Sequence, residues 1–135
     1  MLPKQPINRA NFSSPLYSEA IIHNGLVYCS GKIGKDPNTG KLVGDDVTEQ
    51  TKAALNLLAS VLQAAGSDLT KILKCSIFLT NMSDFDAMNT AYTSIVPDPK
   101  PARICVSVAD LGLGAKVEID CIAMVQDASL FKASL

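Results

Sequence analysis

Polar and apolar positions alternate most cleanly near the end of the chain. Over residues 103–108 the apolar positions are Ile104, Val106 and Val108, with Arg103, Cys105 and Ser107 between them. After a glycine-containing loop, residues 116–120 repeat the pattern: Val117 and Ile119 share one face, Glu118 and Asp120 the other. A period of two predicts two half-buried strands. Read this way, Ile104, Val106 and Val108 turn to the core, and a guanidinium and a carboxylate stand on polar faces of strands close in sequence. Upstream, residues 19–23 and 26–30 predict a hairpin about Asn24-Gly25, a strong two-residue turn signal. Residues 31–46 form a glycine-containing excursion with a turn at Asp36-Pro37-Asn38-Thr39-Gly40.

The period then changes. Ala54, Leu55, Leu58, Val61, Leu62 and Ala65 fall on one helical stripe and predict a helix over about 47–65. Asp45, Asp46 and Glu49 suit its positive N-terminus, and Gly66 its end. Residues 72–79 predict another strand. Ser83 is expected to open a second helix, with Asp86 as a capping-box partner and Phe85, Met88, Tyr92 and Ile95 as its buried stripe; Pro97 and Pro99 close it. Residues 1–16 are expected to be extended and loop-like, without regular pairing, because Pro3, Pro6 and Pro15 oppose helix. The order is ββ(loop)αβαββ. Two helices cover one face of such a sheet. The other face is not uniformly polar, since Ile122 and Met124 share it with Glu118 and Asp120. It is therefore expected to be partly buried against other subunits.

Composition narrows the function. The 135 residues are expected to form one domain, 1–135, and 47% hydrophobic content supplies a core. The net charge of −1 argues against binding nucleic acid through phosphate neutralisation. No apolar run reaches the ~18 residues of a membrane span. Cys29, Cys75, Cys105 and Cys121 form no C-x-x-C pair, and His23 is the single histidine, so neither a metal site nor a disulfide framework is expected. Reduced, buried thiols fit a cytoplasmic setting. The first residues, poor in acid, hint at a mitochondrial one, although the prolines oppose an amphipathic presequence. Arginine is scarce: only Arg9 and Arg103 stand against ten lysines. A planar fork at a strand start points to bidentate recognition of a carboxylate or phosphate.

Several segments, in order and spacing, resemble the Rid family (reactive intermediate deaminase, the RidA/YjgF type). They are Tyr17-Ser18-Glu19-Ala20, Ser30-Gly31-Lys32-Ile33, Asp36-Pro37-Asn38-Thr39-Gly40, Gln50-Thr51, Ala64-Ala65-Gly66, 74–79, 82–92, Pro101-Ala102-Arg103 and Val117-Glu118-Ile119. The resemblance implies an α+β, chorismate-mutase-like sandwich: a mixed sheet with two helices on one face, assembled as a homotrimer with sites between subunits. It implies hydrolysis of enamines and imines of the 2-aminoacrylate/2-iminopropanoate type to 2-oxo acids and ammonia, without cofactor or metal. Arg103 would take the substrate carboxylate, helped by the backbone N–H of Gly31. Glu118 would orient or activate the attacking water together with the carbonyl of Cys105. Tyr17, Ser30 and Asn89 match other positions lining the cleft. The chain departs from the family at Pro15-Leu16 before Tyr17, at Lys32 where glutamine is usual, at Leu111-Gly112, and in a short stretch between Asn89 and Arg103. Lys32 leaves two readings: selection of an acidic substrate, or a solvated side chain.

Each site residue also has a plainer reading. Arg103 could form a structural ion pair, Glu118 could be a solvated strand residue, and Tyr17 could pack at an interface. Asn89 could bond helix to loop, and Ser30 could be structural. The thiol of Cys105 has no histidine near it in sequence and reads as a packing group. The alternative to a deaminase is a non-catalytic carboxylate-binding, chaperone-like or translation-inhibiting protein of the same fold.

Overall fold

The computed structural model describes residues 3–126. Strands β1 (Gln5–Ile7), β2 (Ala20–His23), β3 (Leu26–Ile33), β4 (Ile72–Leu79), β5 (Ala102–Ser107) and β6 (Val117–Met124) form one mixed sheet in the order β1-β2-β3-β6-β4-β5. All neighbours are antiparallel except β4 and β5, which run parallel. A parallel pair needs a crossover, and helix α2 (Phe85–Ile95) supplies it. Helix α1 (Val47–Ala64) packs beside α2 and against β3 and β6. The α+β sandwich with both helices on one face is the expected architecture. Among the described residues, no helix is long and apolar enough to cross a membrane.

Local chemistry explains the elements. Asn24 and Gly25 take φ of 52° and 79°, the left-handed pair a tight hairpin turn requires. Asp46 caps α1 by accepting from the Thr48 N–H at 2.8 Å. The expected α1 stripe is buried throughout, with Leu55, Leu58 and Leu62 fully so. Each such leucine contributes about 1.5–3 kcal/mol of burial energy. Facing them are Val27, Cys75, Ile77, Leu79, Val117, Ile119 and Cys121 from the sheet.

Three expectations fail. The N-terminal stretch is not wholly irregular: Gln5–Ile7 pairs with β2 as an edge strand. Ser83 does not open α2. A short 3-10 turn, Met82–Asp84, precedes the helix, and the Asn81 side chain caps that turn by accepting from the Ser83 N–H. The largest correction concerns β5. Its register pairs Cys75, Ile77 and Leu79, all buried under the helices, with Arg103, Cys105 and Ser107. Paired residues of neighbouring strands share a face. Arg103 and Cys105 therefore look toward the helices, while Ile104 and Val106 are 49% and 39% exposed on the open face. Alternation fixes which residues stand together, but not which face an edge strand turns inward.

Candidate active site

Glu118 pairs with Phe78 of β4 and so lies on the open side of the sheet, opposite to Arg103. In one protomer the cation and the carboxylate thus occupy separate regions. Each has a built environment.

Arg103 stands at the edge of the sheet beneath α2. Its guanidinium carbon lies 4.9 Å from the Tyr92 ring centroid and 5.8 Å from that of Phe85. Phe85, Asn89 and Tyr92 follow each other at helical spacing on α2, so Asn89 sits between the two rings. Its Oδ1 is buried without a hydrogen-bond partner. Among the described residues no carboxylate comes within 4.0 Å of Arg103. A half-buried guanidinium clamped by aromatic faces and lacking a counter-ion is arranged to receive an anion. Cys105 follows two residues along the same face. Burial pushes its thiol above the ordinary range despite the nearby Arg103 charge, which keeps it a poor nucleophile.

Arg103 also ends a row across five strands: Ala20, Cys29, Cys121, Cys75, Arg103. All four cysteines are free, and three are buried. The Cys29 thiol is lowered by a hydrogen bond from Cys121, which rises in turn. Burial raises Cys75 to about 11.

The second region is a cavity of about 510 Å³ lined by Phe12, Tyr17, Gly31, Lys32, Ile33 and Glu118, among others. A bulge between Cys29 and Lys32 shapes it by breaking the ladder with β6. Gly31 occupies that bulge. A Cβ there would lie 2.6 Å from Glu118 Oε2, so any larger residue at 31 would displace the carboxylate. Tyr17 is 52% exposed and packs with its ring tilted against Phe12, centroids 5.4 Å apart. Ser30 spends its hydroxyl on Ser18, donating to the carbonyl at 2.8 Å. That bond holds the 9–19 segment over the cavity. The structure thus gathers Tyr17, Gly31 and Glu118 on one cavity, with Ser30 tied to Ser18 behind its wall, and Asn89, Arg103 and Cys105 in another region.

A third group escaped sequence reading. Glu19 is fully buried beside the cavity. Arg9 donates to it from its backbone N–H, from Nε at 3.0 Å and from Nη2 at 2.7 Å; Lys32 donates from Nζ at 2.6 Å. Burial pushes the carboxyl up, and the bonds from Arg9 and Lys32 outweigh it, leaving the group at about 2. The signal was available in the scarcity of arginine, which marks Arg9 as well as Arg103.

Residues 9–125 match the family described as Endoribonuclease L-PSP. The mitochondrial protein mmf1 of Schizosaccharomyces pombe is 48% identical over 128 residues, covering 92% of this chain and 78% of that one. The 2-iminobutanoate/2-iminopropanoate deaminase of Homo sapiens is 37% identical over 108 residues, covering 80% of this chain and 79% of that one. The crystal structure of RidA from the Antarctic bacterium Psychrobacter sp. superposes with a TM-score of 0.83 at 32% identity, covering 90% of this chain and 99% of that one. With its sandwich, its bulge at Gly31 and a match along nearly its whole length, the chain belongs to the YjgF/RidA (Endoribonuclease L-PSP) family.

Proposed function

We propose that the protein is a 2-iminobutanoate/2-iminopropanoate deaminase, a hydrolase that converts reactive imino acids to 2-oxo acids and ammonia. The observation that carries this reading is the unpaired, ring-clamped guanidinium of Arg103, a receptor for a small carboxylate. Glu118, beside the Gly31 backbone, supplies the acid–base group. The imine carbon is already electrophilic, so the protein needs to hold the substrate and place a water about 3–3.5 Å from that carbon. Glu118 accepts a proton from the water as it adds and stabilises the cationic iminium. Glu118 then returns that proton to the nitrogen, which leaves as ammonia as the adduct collapses and its hydroxyl proton passes to the carboxylate. The Gly31 backbone N–H helps Arg103 hold the carboxylate, the Cys105 carbonyl accepts from the attacking water beside Glu118, and Tyr17, Ser30 and Asn89 line the cleft.

Because Arg103 and Glu118 face opposite sides of one sheet, the reading requires a second copy. Arg103, Asn89 and Cys105 of one protomer meet Tyr17, Gly31 and Glu118 of the next, in a homotrimer. The exposed Ile104 and Val106 supply apolar surface for that contact. Cellular placement follows the free thiols: the cytoplasm, or the mitochondrion, where mmf1 is named to reside.

The test adds the protein to a serine or threonine dehydratase and follows 2-oxo acid release. Wild type accelerates release. Arg103→Ala lowers kcat/KM by about 30-fold or more, the effect of roughly 2–5 kcal/mol for a desolvated pair losing one partner. Equal rates for wild type and variant refute the role of Arg103. Carboxylate binding without turnover favours a non-catalytic binding protein.

A further inference from the structure

Lys32 is not a solvated side chain. Its side chain is 13% exposed, and its Nζ lies 5.3 Å from the Phe12 ring centroid. Among the described residues that ammonium makes one hydrogen bond, to Glu19 Oε2. An ammonium has three donors, so two remain without a protein acceptor, in a group largely removed from water. Charge is also in excess. Glu19 is a single buried carboxylate shared by two cations, and Arg9 already grips both of its oxygens through Nε and Nη2. The Arg9–Glu19–Lys32 cluster therefore carries one net positive charge into the cavity wall.

Both Lys32 and Glu118 line that cavity. Its volume of about 510 Å³ lies within the range of roughly 300–1,000 Å³ that suits drug-sized ligands. We propose that Lys32 forms a subsite for a second carboxylate, so that the preferred substrate is a dicarboxylic imino acid. This rests on the deaminase reading above. Lys32 pairs with Ile119 and so stands around the Gly31 bulge from Glu118, the two reaching the cavity from different faces of the strand. The α-carboxylate goes to Arg103 of the neighbouring protomer, the imine carbon lies at Glu118, and the distal carboxylate reaches around the bulge to accept from the free Lys32 donors. The chemistry is unchanged: water adds to the imine carbon, ammonia leaves, and a 2-oxo dicarboxylate results.

The experiment generates 2-iminoglutarate and 2-iminobutanoate in situ with amino-acid oxidases and measures their loss by semicarbazide trapping. In parallel, calorimetry measures binding of 2-oxoglutarate and 2-oxobutanoate. Wild type is expected to prefer the dicarboxylic member of each pair by about tenfold. Lys32→Gln, which leaves Glu19 held by Arg9, loses that ratio through KM, and Lys32→Arg restores most of it. A ratio that Lys32→Gln leaves intact, or a wild-type preference for the monocarboxylic members, overturns the subsite. Failure to hydrolyse either imine sinks the deaminase reading instead, and the calorimetric ratio then still decides whether Lys32 recognises a second carboxylate.

Discussion

Glu19 shows how one buried residue ties structure to pH. Its carboxyl sits at about 2 in the folded chain against an ordinary value of 4.5. A depressed carboxyl stabilises the fold above its unfolded value and loses that contribution as pH falls through the folded one. The stabilisation, on the order of 3 kcal/mol, is thus complete above about pH 5 and disappears between 4.5 and 2. Glu19→Gln should be less stable than wild type at pH 7 by a similar amount, and the gap should narrow toward pH 2. Urea unfolding at both pH values measures it; a gap that is constant with pH would mean that the ion pairs contribute nothing. Sequence reading missed Glu19 because a carboxylate beside a strand looks solvated until its partners are known. One of them, Arg9, lies ten residues away across an irregular loop.

Elements were legible where period and punctuation agreed. The strand at 72–79, the α1 stripe and the Asn24-Gly25 turn all emerge as read, because burial on one face dictates their composition. The face of β5 was not legible. Its apolar row and its polar row are both three residues long, and edge position lets the apolar row look outward. The Arg103–Glu118 relation inherits that ambiguity. How α1 meets β3 was equally hidden. Gly34 follows β3 where a Cβ would lie 2.6 Å from the Gln50 Cα. Gln50, fully buried, donates to the Gly44 carbonyl at 2.6 Å and accepts from the Lys116 N–H at 2.8 Å. Backbone against backbone cannot yield, so Gly34→Ala should cost about 1–3 kcal/mol. A fall in melting temperature of several degrees registers it; an unchanged value would show that the helix shifts freely.

The molecule as a whole has one well-covered face and one that is not. Tyr28, Leu73, Ile104, Val106 and Met124 are each about two-fifths to one-half exposed. A substitution such as Ile104→Asp puts a charge on this surface without touching the helix-covered core. If copies meet there, the variant should lose assembly, seen as a drop in mass by light scattering, and should lose turnover with it. Retained mass or an active monomer would separate the two properties and end the shared-site account. The placement of Arg103 and Glu118 on opposite sides of a single sheet carries a genetic corollary. If each chain lends only half of any working centre, a lesion in one half and a lesion in the other are not equivalent. Coexpressed, two such defective alleles can repair one another wherever their intact halves happen to meet.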